Sequence, residues 1–502
     1  MSKNLAKTSI FITIILMVGY FIAFFREAII ASYWGVSSDV DAYTVAIAIP
    51  INLFSIITIS IQSIIIPIYS DLLLNKSNED ANHYACLLIN SIAVFAIALV
   101  VVLELIAGPI ATLFAPGFTP ESHEMVVTLL RMVLPTIVVS LIIHVLVGIL
   151  NVYKNFIWPA LSIHILNLSI IVTIVLLHSK FGIASACFGQ IIGVTLQLLF
   201  LVLFVRKHLK FSIGLNFKDS SIKETGRRVI PVIWSTGLSE INGIVNGAIA
   251  SMLFVGAVAS IGYATKINSV MMSFFTSAIA TVIYPLYAES GAKNDYSQLN
   301  SRVNHTLSAY TFFLIPLIAL VLILRKELIS VAFGRGAFDM EAINITQSIL
   351  GCYAPGLLFL AMRETITKVF YSLKDTTTPA KNATIGILLN VLLSVTLPFL
   401  IGVEGLAIAA SLTAAFVSVR LLYLLLSKHK ELGLQLFFCN LKLMIIPLFL
   451  MSLGMVLMKS FLDSSAIIVL LLCGGLGATI YLGASVLFKV PILDKLLKMI
   501  LK

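Results

Sequence analysis

The chain has 502 residues, of which 59% are hydrophobic and only 11% charged. A soluble domain carries about 45–50% apolar and about 25% charged residues; with a mean hydropathy of +1.06, this chain has too little charge to solvate a 54.6 kDa globule. That excludes a soluble multidomain enzyme, a disordered chain and a disulfide scaffold, and it leaves a polytopic membrane protein. The excess of 33 basic over 23 acidic residues, net +10, fits basic cytoplasmic loops beside anionic lipid rather than nucleic acid.

In chain order, Lys3 and Lys7 precede an apolar run with no small-residue cleavage site before Arg26, which reads as a retained first span. Crossing the hydrocarbon core takes about 20 predominantly apolar residues. Windows of that size predict spans over 8–34, 40–70, 82–106, 123–151, 156–177 and 182–205. After a polar break they predict 229–253, 257–287, 303–324, 342–372, 378–399, 404–427, 437–458 and 465–488, fourteen in all. With the N-terminus inside, the even loops and both termini hold about 21 of the 33 basic residues, against about 5 outside, so both ends are expected in the cytoplasm. The clearest inside loop carries Arg206, Lys207, Lys210, Lys218, Lys223, Arg227 and Arg228. That loop and the tail from Pro491 mix basic with large apolar residues. In the tail Ile492, Leu493, Leu496, Leu497 and Ile500 share one helical face, with Lys495, Lys498 and Lys502 elsewhere. Amphipathic helices on the inner leaflet are the expectation for both.

The first and second groups of six spans read as copies. Ile30-Ala31-Ser32 recurs as Ile249-Ala250-Ser251, and Ile66-Pro67-Ile68-Tyr69 as Tyr284-Pro285-Leu286-Tyr287. The turn at Gly117-Phe118 with Glu121 has a counterpart in Gly336-Ala337-Phe338 with Glu341, and Pro159-Ala160 matches Pro379-Ala380. All share an offset of 218 to 220 residues, which weak matches rarely do by chance. Six spans is an even number, so the copies have the same topology and an axis along the membrane normal should relate them. The fold expected is an all-α polytopic membrane protein of about 14 transmembrane helices: two pseudo-symmetric six-helix lobes plus two C-terminal helices. The corresponding divisions are 1–206, a basic amphipathic linker 207–228, 229–427, the extra helices 428–488 and the tail 489–502.

Ionisable groups inside spans cost roughly 2.5–3.5 kcal/mol on insertion scales and mark function. Arg26 and Glu27 lie in span one, Asp41 heads span two, Arg131 lies in span four and Glu240 in span seven. Lys266 lies in span eight, and Arg363, Glu364 and Lys368 in span ten. Arg26 and Lys266 fall at similar depth, about 12–14 Å from the outer ends of their helices. Two such cations suggest an anion site for phosphate or carboxylate, with Arg supplying bidentate and Lys point-charge recognition. The plainer readings are that Arg26 pairs with Glu27 or Asp41, and that Glu364 pairs with Lys368 one helical turn on. Lys368, Arg420 and Lys442 lie near the inner surface and could snorkel, while His144 and His164 suit hydrogen bonds between helices. Glu240, alone in a small-residue stretch, suits charge balance or ion coupling. The five cysteines have no metal-type spacing and read as packing residues. No Gly-Lys-Ser/Thr phosphate loop, metal cluster or enzyme-sized loop is present, so the expectation is a transporter rather than an enzyme, with no cofactor.

Several blocks resemble the MurJ (MviN) lipid II flippases. They are Arg26-Glu-Ala-Ile-Ile-Ala-Ser with Gly35, Asp41-Ala42-Tyr43, Pro50 and Asn52, then Ala115-Pro116-Gly117-Phe118, then Gly148 to Asn151 with Pro159. Gly334-Arg-Gly-Ala-Phe338 follows, and Phe370-Tyr371 with Asp375-Thr-Thr-Thr-Pro379. The resemblance implies the fold of the multidrug/oligosaccharidyl-lipid/polysaccharide exporters, with the two extra helices forming a lipid-side groove. It also implies a role in peptidoglycan synthesis, cell wall biogenesis and cell shape: moving an undecaprenyl-pyrophosphate-linked saccharide across the bacterial inner membrane by alternating access. Arg26 matches the family's span-one arginine and Asp41 its span-two acid. Lys266 stands where the family has arginine, and Phe54 where it has a second-span arginine. Arg363 and Lys368 are the candidates to replace that lost charge. The candidate cavity set is therefore Arg26, Glu27, Asp41, Lys266, Arg363, Glu240 and Lys368, with membrane potential or an ion gradient as the available driving force. The expected partners are the lipid-linked glycan and membrane lipids, without nucleic acid, for a chain acting as a monomer. The loss at Phe54 also admits a different polyprenyl-linked glycan, such as O-antigen or capsule repeat. A drug/cation antiporter would instead need an acidic cavity.

Overall fold

The computed structural model describes residues 3–216, 218–278 and 283–493. Among them the ordered elements are α-helices, and no strand occurs. The first repeat comprises α1 (Lys3–Trp34), α2 (Ser38–Asn75), α3 (Asn78–Leu105), α4 (Ala107–Phe114), α5 (Pro120–Val133), α6 (Thr136–Val152), α7 (Ile157–Phe181) and α8 (Ala184–Val205). The second comprises α9 (Ser220–Ser251), α10 (Ala257–Ala278), α11 (Tyr284–Ala292), α12 (Tyr296–Phe333), α13 (Met340–Tyr353), α14 (Gly356–Ser372), α15 (Thr377–Ile401) and α16 (Glu404–Lys428). Then come α17 (Gln435–Phe461) and α18 (Ala466–Leu487). Each expected window overlaps helix among the described residues; positions 279–282 of the window 257–287 lie outside them. Ten helices among the described residues are long and apolar enough to cross a membrane, or eleven when α5 and α6, bent by 43° at Pro135, count as one span.

Helix starts follow local chemistry. Ser37, Ser77, Thr119, Asp219, Asp295 and Asp339 each accept a hydrogen bond from the first turn they cap, which satisfies otherwise orphaned N–H groups. The repeat shows in the backbone. Helices α5 and α13 both have 14 residues, α6 and α14 both 17, and α7 and α15 both 25. The turns after α6 and α14 place lysine in the left-handed region, Lys154 at φ 57° and Lys374 at φ 61°. Each turn closes with the next residue donating back five residues, Asn155 to Leu150 and Asp375 to Phe370, the Schellman pattern. Tight pairing of α7 with α8 and of α15 with α16 relies on small residues. A Cβ on Gly189 would lie 2.5 Å from the Ile170 backbone, and one on Gly405 2.6 Å from that of Leu397.

The chain forms two compact units, Met1–Ala259 and Ser260–Lys502. In the first, α1 packs on α7, and α2 packs on α5, α6 and α9. In the second, α17 and α18 pack on α12, where Met444, Met451, Met455, Cys473 and Tyr481 join Phe312 and Leu324 in one cluster. Large apolar side chains also cover the outside, among them Leu176, Phe399 and Phe449, as a bilayer-facing surface requires.

Two amphipathic-helix expectations change. The linker is extended from Leu209 to Asn216, and its later part belongs to the long helix α9 capped by Asp219. At the tail, Ile492 and Leu493 are buried against α12, α17 and α18, and the Ile492 amide donates to Asn440 (3.2 Å). The chain offers these two residues a protein pocket, so they do not face lipid; the tail from 494 on lies outside the described residues. Among the cysteines Cys86, Cys187 and Cys473 are buried and Cys352 is partly so, while Cys439 is exposed on α17.

Candidate functional site

Arg26 sits on α1 eight residues before its last residue, Trp34, about 12 Å along the axis. Its side chain is 18% exposed, and Nη2 meets Glu27 Oε1 at 2.5 Å. Nη1 donates to Asn167 Oδ1 of α7 at 3.0 Å. The buried Nε finds no hydrogen-bond partner among the described residues. Tyr43 of α2 lies within electrostatic reach of the guanidinium. The sequence expectation of an Arg26–Glu27 pair holds, and Asn167 is the partner it missed. Its one signal was an amide in an otherwise apolar span.

Along the same face of α2, one turn beyond Tyr43, a cavity of about 230 Å³ opens between α2, α5, α6 and α8. Phe54 lines it, with Ser55, Thr58, Thr136, Ser140, His144 and Gln190 as its polar wall and no charged residue. His144 Nδ1 is 2.8 Å from Gln62 Nε2, an α6–α2 hydrogen bond as expected. The His164 ring packs against α1 at Gly19, where a Cβ would lie 2.7 Å from it.

Asp41 is placed apart from Arg26. Only 2% exposed, it accepts the Gly256 amide at 2.5 Å and the Ala259 amide at 2.7 Å, so an anion caps the N-terminus of α10. Gly256 has φ 95°, and a Cβ there would strike Val36 at 2.3 Å. Beside it, the Gly117 amide donates to Ser251 Oγ at 3.2 Å, and a Cβ on Gly117 would lie 2.4 Å from the Ser251 carbonyl. Asp41 and these turns, with Ser38, Phe118 and Thr119, line a second cavity of about 140 Å³. Glu240 is half-buried on α9.

In the second unit Lys266 is exposed on α10, nine residues after its first residue, Ala257. On α14, Arg363 lies 3.6 Å from Glu364. Lys368 is instead over the rings of Tyr284 and Tyr371, at 5.4 and 5.7 Å. In place of the expected Glu364–Lys368 pair, Glu364 pairs with its neighbour Arg363 and Lys368 makes cation–π contacts. Arg420 does not snorkel; it donates to Asn382 Oδ1 of α15 at 2.6 Å. Among the described residues no group of His, Cys and carboxylates is placed to hold a metal ion.

A family profile described as lipid II flippase MurJ matches residues 30–475. The chain belongs to the MurJ lipid II flippase family. It is 26% identical over 499 residues to a probable lipid II flippase MurJ of Rickettsia prowazekii, covering 97% of each chain. It is 27% identical to the lipid II flippase MurJ of Thermosipho africanus, covering 84% of this chain and 85% of that one. Among solved structures, a lipid II flippase MurJ in an inward closed conformation aligns with TM-score 0.81 at 26% identity, over 95% of this chain and 98% of that one. An inward-facing MATE family transporter of the MOP superfamily aligns with TM-score 0.66 at 14% identity, over 83% of this chain and 96% of its own. That second likeness shows the fold alone. Family membership and the apolar helices make this a multi-pass membrane protein of a transporter family.

Proposed function

We propose that this chain moves lipid II, an undecaprenyl-pyrophosphate-linked saccharide, from the inner to the outer leaflet of the bacterial inner membrane by alternating access. What carries this reading is the family match from residue 30 to 475. The chemistry agrees with it. Arg26, held on one side by Asn167 and Glu27, keeps a guanidinium in an apolar bundle where a pyrophosphate would offset its burial. Within the second unit, Lys266 on α10 and Arg363 and Lys368 on α14 are further cations of the kind a pyrophosphate would attract. The uncharged cavity beside Phe54, with its hydroxyls and amides, suits the saccharide. No bond is made or broken, so no cofactor is needed, and membrane potential or an ion gradient drives the cycle, with Glu240 as the acid available for coupling.

In this reading fourteen helices span the membrane, as two six-helix lobes with α17 and α18 added, and both termini face the cytoplasm. The chain works as a monomer and engages no nucleic acid. The test is complementation of a strain depleted of its lipid II flippase, together with flipping of labelled lipid II in vesicles. Failure of both sinks the proposal. One observation favours a second reading, a flippase for another polyprenyl-linked glycan. Phe54, where the resembling family has arginine, lines the cavity wall. Transport of that glycan without rescue of lipid II depletion would select it.

A further inference from the structure

The segment joining α8 to α9 lies as an extended strap along α3. The Lys210 amide donates to Asn82 Oδ1 at 2.7 Å, and Asn82 Nδ2 donates to the Lys210 carbonyl at 2.8 Å. One turn on, the Cys86 thiol donates to the same carbonyl (3.3 Å), and its sulfur accepts the Ser212 amide (3.4 Å). A further turn on, Asn90 Nδ2 donates to the carbonyls of Ser212 (2.9 Å) and Gly214 (3.0 Å). The pins advance four residues at a time along a helix, about 6 Å. The pinned residues advance two at a time along extended chain, about 6.4–6.8 Å. The two repeats are commensurate. Residues 210, 212 and 214 therefore bond to α3, and Phe211, Ile213 and Leu215 between and after them are 59%, 92% and 52% exposed, while Leu209 at the start of the strap is buried.

Depth follows from α3 itself. A hydrocarbon core takes about 20 residues, and counted back from the last residue of α3, Leu105, it begins near Cys86. Asn82 then lies about 6 Å outside that level and Asn90 about 6 Å inside it. The strap runs the same way as α3, so it descends through the interface, where unbonded backbone is not tolerated; the three pins meet that demand. Arg206, Lys207 and Lys210 gather at its shallow end. Its apolar side chains continue the lipid-facing surface of α3, where Val94, Phe95 and Ile97 are about half exposed.

We propose that this strap is a leaflet anchor. Phe211, Ile213 and Leu215 enter the acyl boundary, and Arg206, Lys207 and Lys210 hold anionic phospholipid headgroups of the same leaflet. The occupant is the bilayer, chosen by charge complementarity and by continuity with the lipid-facing side of α3. That the leaflet is the inner one rests on the orientation given under Proposed function; insertion itself does not.

The test uses full-length protein in vesicles and needs no transport, so failed flipping leaves it standing. Ile213→Trp is compared with the parent protein, whose three tryptophans give the background. In vesicles containing phosphatidylglycerol, the introduced indole should lose more than half its emission to lipid brominated near the headgroup, and little to aqueous iodide. Replacing phosphatidylglycerol by phosphatidylcholine should reduce the bromolipid quenching at least twofold. In Asn82→Ala/Asn90→Ala protein that keeps its thermal transition, the indole should become accessible to iodide. Quenching by iodide but not bromolipid in the pinned protein would put the strap in water, free for a soluble partner, and overturn the proposal. Equal bromolipid quenching with and without anionic lipid would overturn the headgroup assignment.

Discussion

Replacing Arg26 separates a substrate ligand from a structural cation. The pair it forms with Glu27 is 2.5 Å long, with both side chains less than a fifth exposed. Breaking a buried pair from one side typically costs about 3–5 kcal/mol. Glu27 keeps further contacts, so Arg26→Ala should cost about 3 kcal/mol of stability, near the lower end of that range. Adding Glu27→Gln removes the stranded charge and should return most of the loss. Arg26→Lys keeps the charge but cannot hold Asn167 and Glu27 in the same fork. It should lose one charge-assisted bond, about 1.5–3 kcal/mol, or about tenfold to a hundredfold if that fork also grips pyrophosphate. The assays are thermal unfolding in detergent and flipping of labelled lipid II in vesicles. Stability should recover in the Arg26→Ala/Glu27→Gln double variant while flipping stays abolished. A double variant that regains full transport would refute the substrate assignment and leave Arg26 a structural residue.

Other outcomes follow from the same geometry. Asp41→Asn keeps one acceptor and turns an N–H toward an amide donor; it should lower stability by about 2–4 kcal/mol, measured by thermal unfolding, whereas Asp39→Asn in the same first turn should change it by under about 1 kcal/mol. Gly117→Ala meets backbone at 2.4 Å and should be strongly destabilising in the same assay, while Gly108→Ala on α4, with open space around it, should be neutral or slightly stabilising. At Asp375 burial pushes the carboxyl up, but hydrogen bonds from Thr378, Lys428 and Thr377 outweigh it and hold the pKa well below the usual carboxylate range. Its contribution is therefore complete above about pH 4 and lost only as pH falls further toward the depressed value, so the gap in unfolding temperature between parent and Asp375→Asn should be flat from neutral pH down to about 4 and close below it. For orientation, Lys218→Cys in a Cys439→Ser background should react with impermeant thiol reagents only from the cytoplasm and Glu121→Cys only from outside; the reverse pattern would invert the topology and the direction of transport.

The spans were legible because each residue of a membrane helix contributes to a local average, and windows of about 20 residues report it. Partners were not. Arg26 and Asn167 are 141 residues apart, and Asp41 reaches an amide 218 residues away; periodicity gives the face a side chain occupies but not what it meets there. Asp41 does line a cavity, but its partners are backbone amides at a helix start, which no side-chain pattern announces. The linker was read as an amphipathic helix from its mixture of basic and apolar residues. Its apolar residues Phe211, Ile213 and Leu215 are in fact spaced by two, the period of extended chain.

The internal repeat makes the same distinction within one chain. Positions 220 residues apart share the proline-marked bends before α6 and α14, helix lengths of 14, 17 and 25 residues, and the left-handed lysines. These are backbone properties, set by where a helix can start, bend and stop. Charges repeat in the turns, at Lys154 and Lys374 and at Glu121 and Glu341, but not inside the spans. At the 219-residue offset of Ile30 and Ile249, Arg26 aligns with Val245, and at the 218-residue offset of Pro67 and Pro285, Lys266 aligns with Ala48. The first repeat therefore carries its buried cation on α1, its opening helix, while the second carries Lys266 on α10, its second helix. A duplicated scaffold has kept its symmetry where symmetry closes turns and packs helices. It has lost it at the ionisable groups inside the spans, which neither close turns nor pack helices.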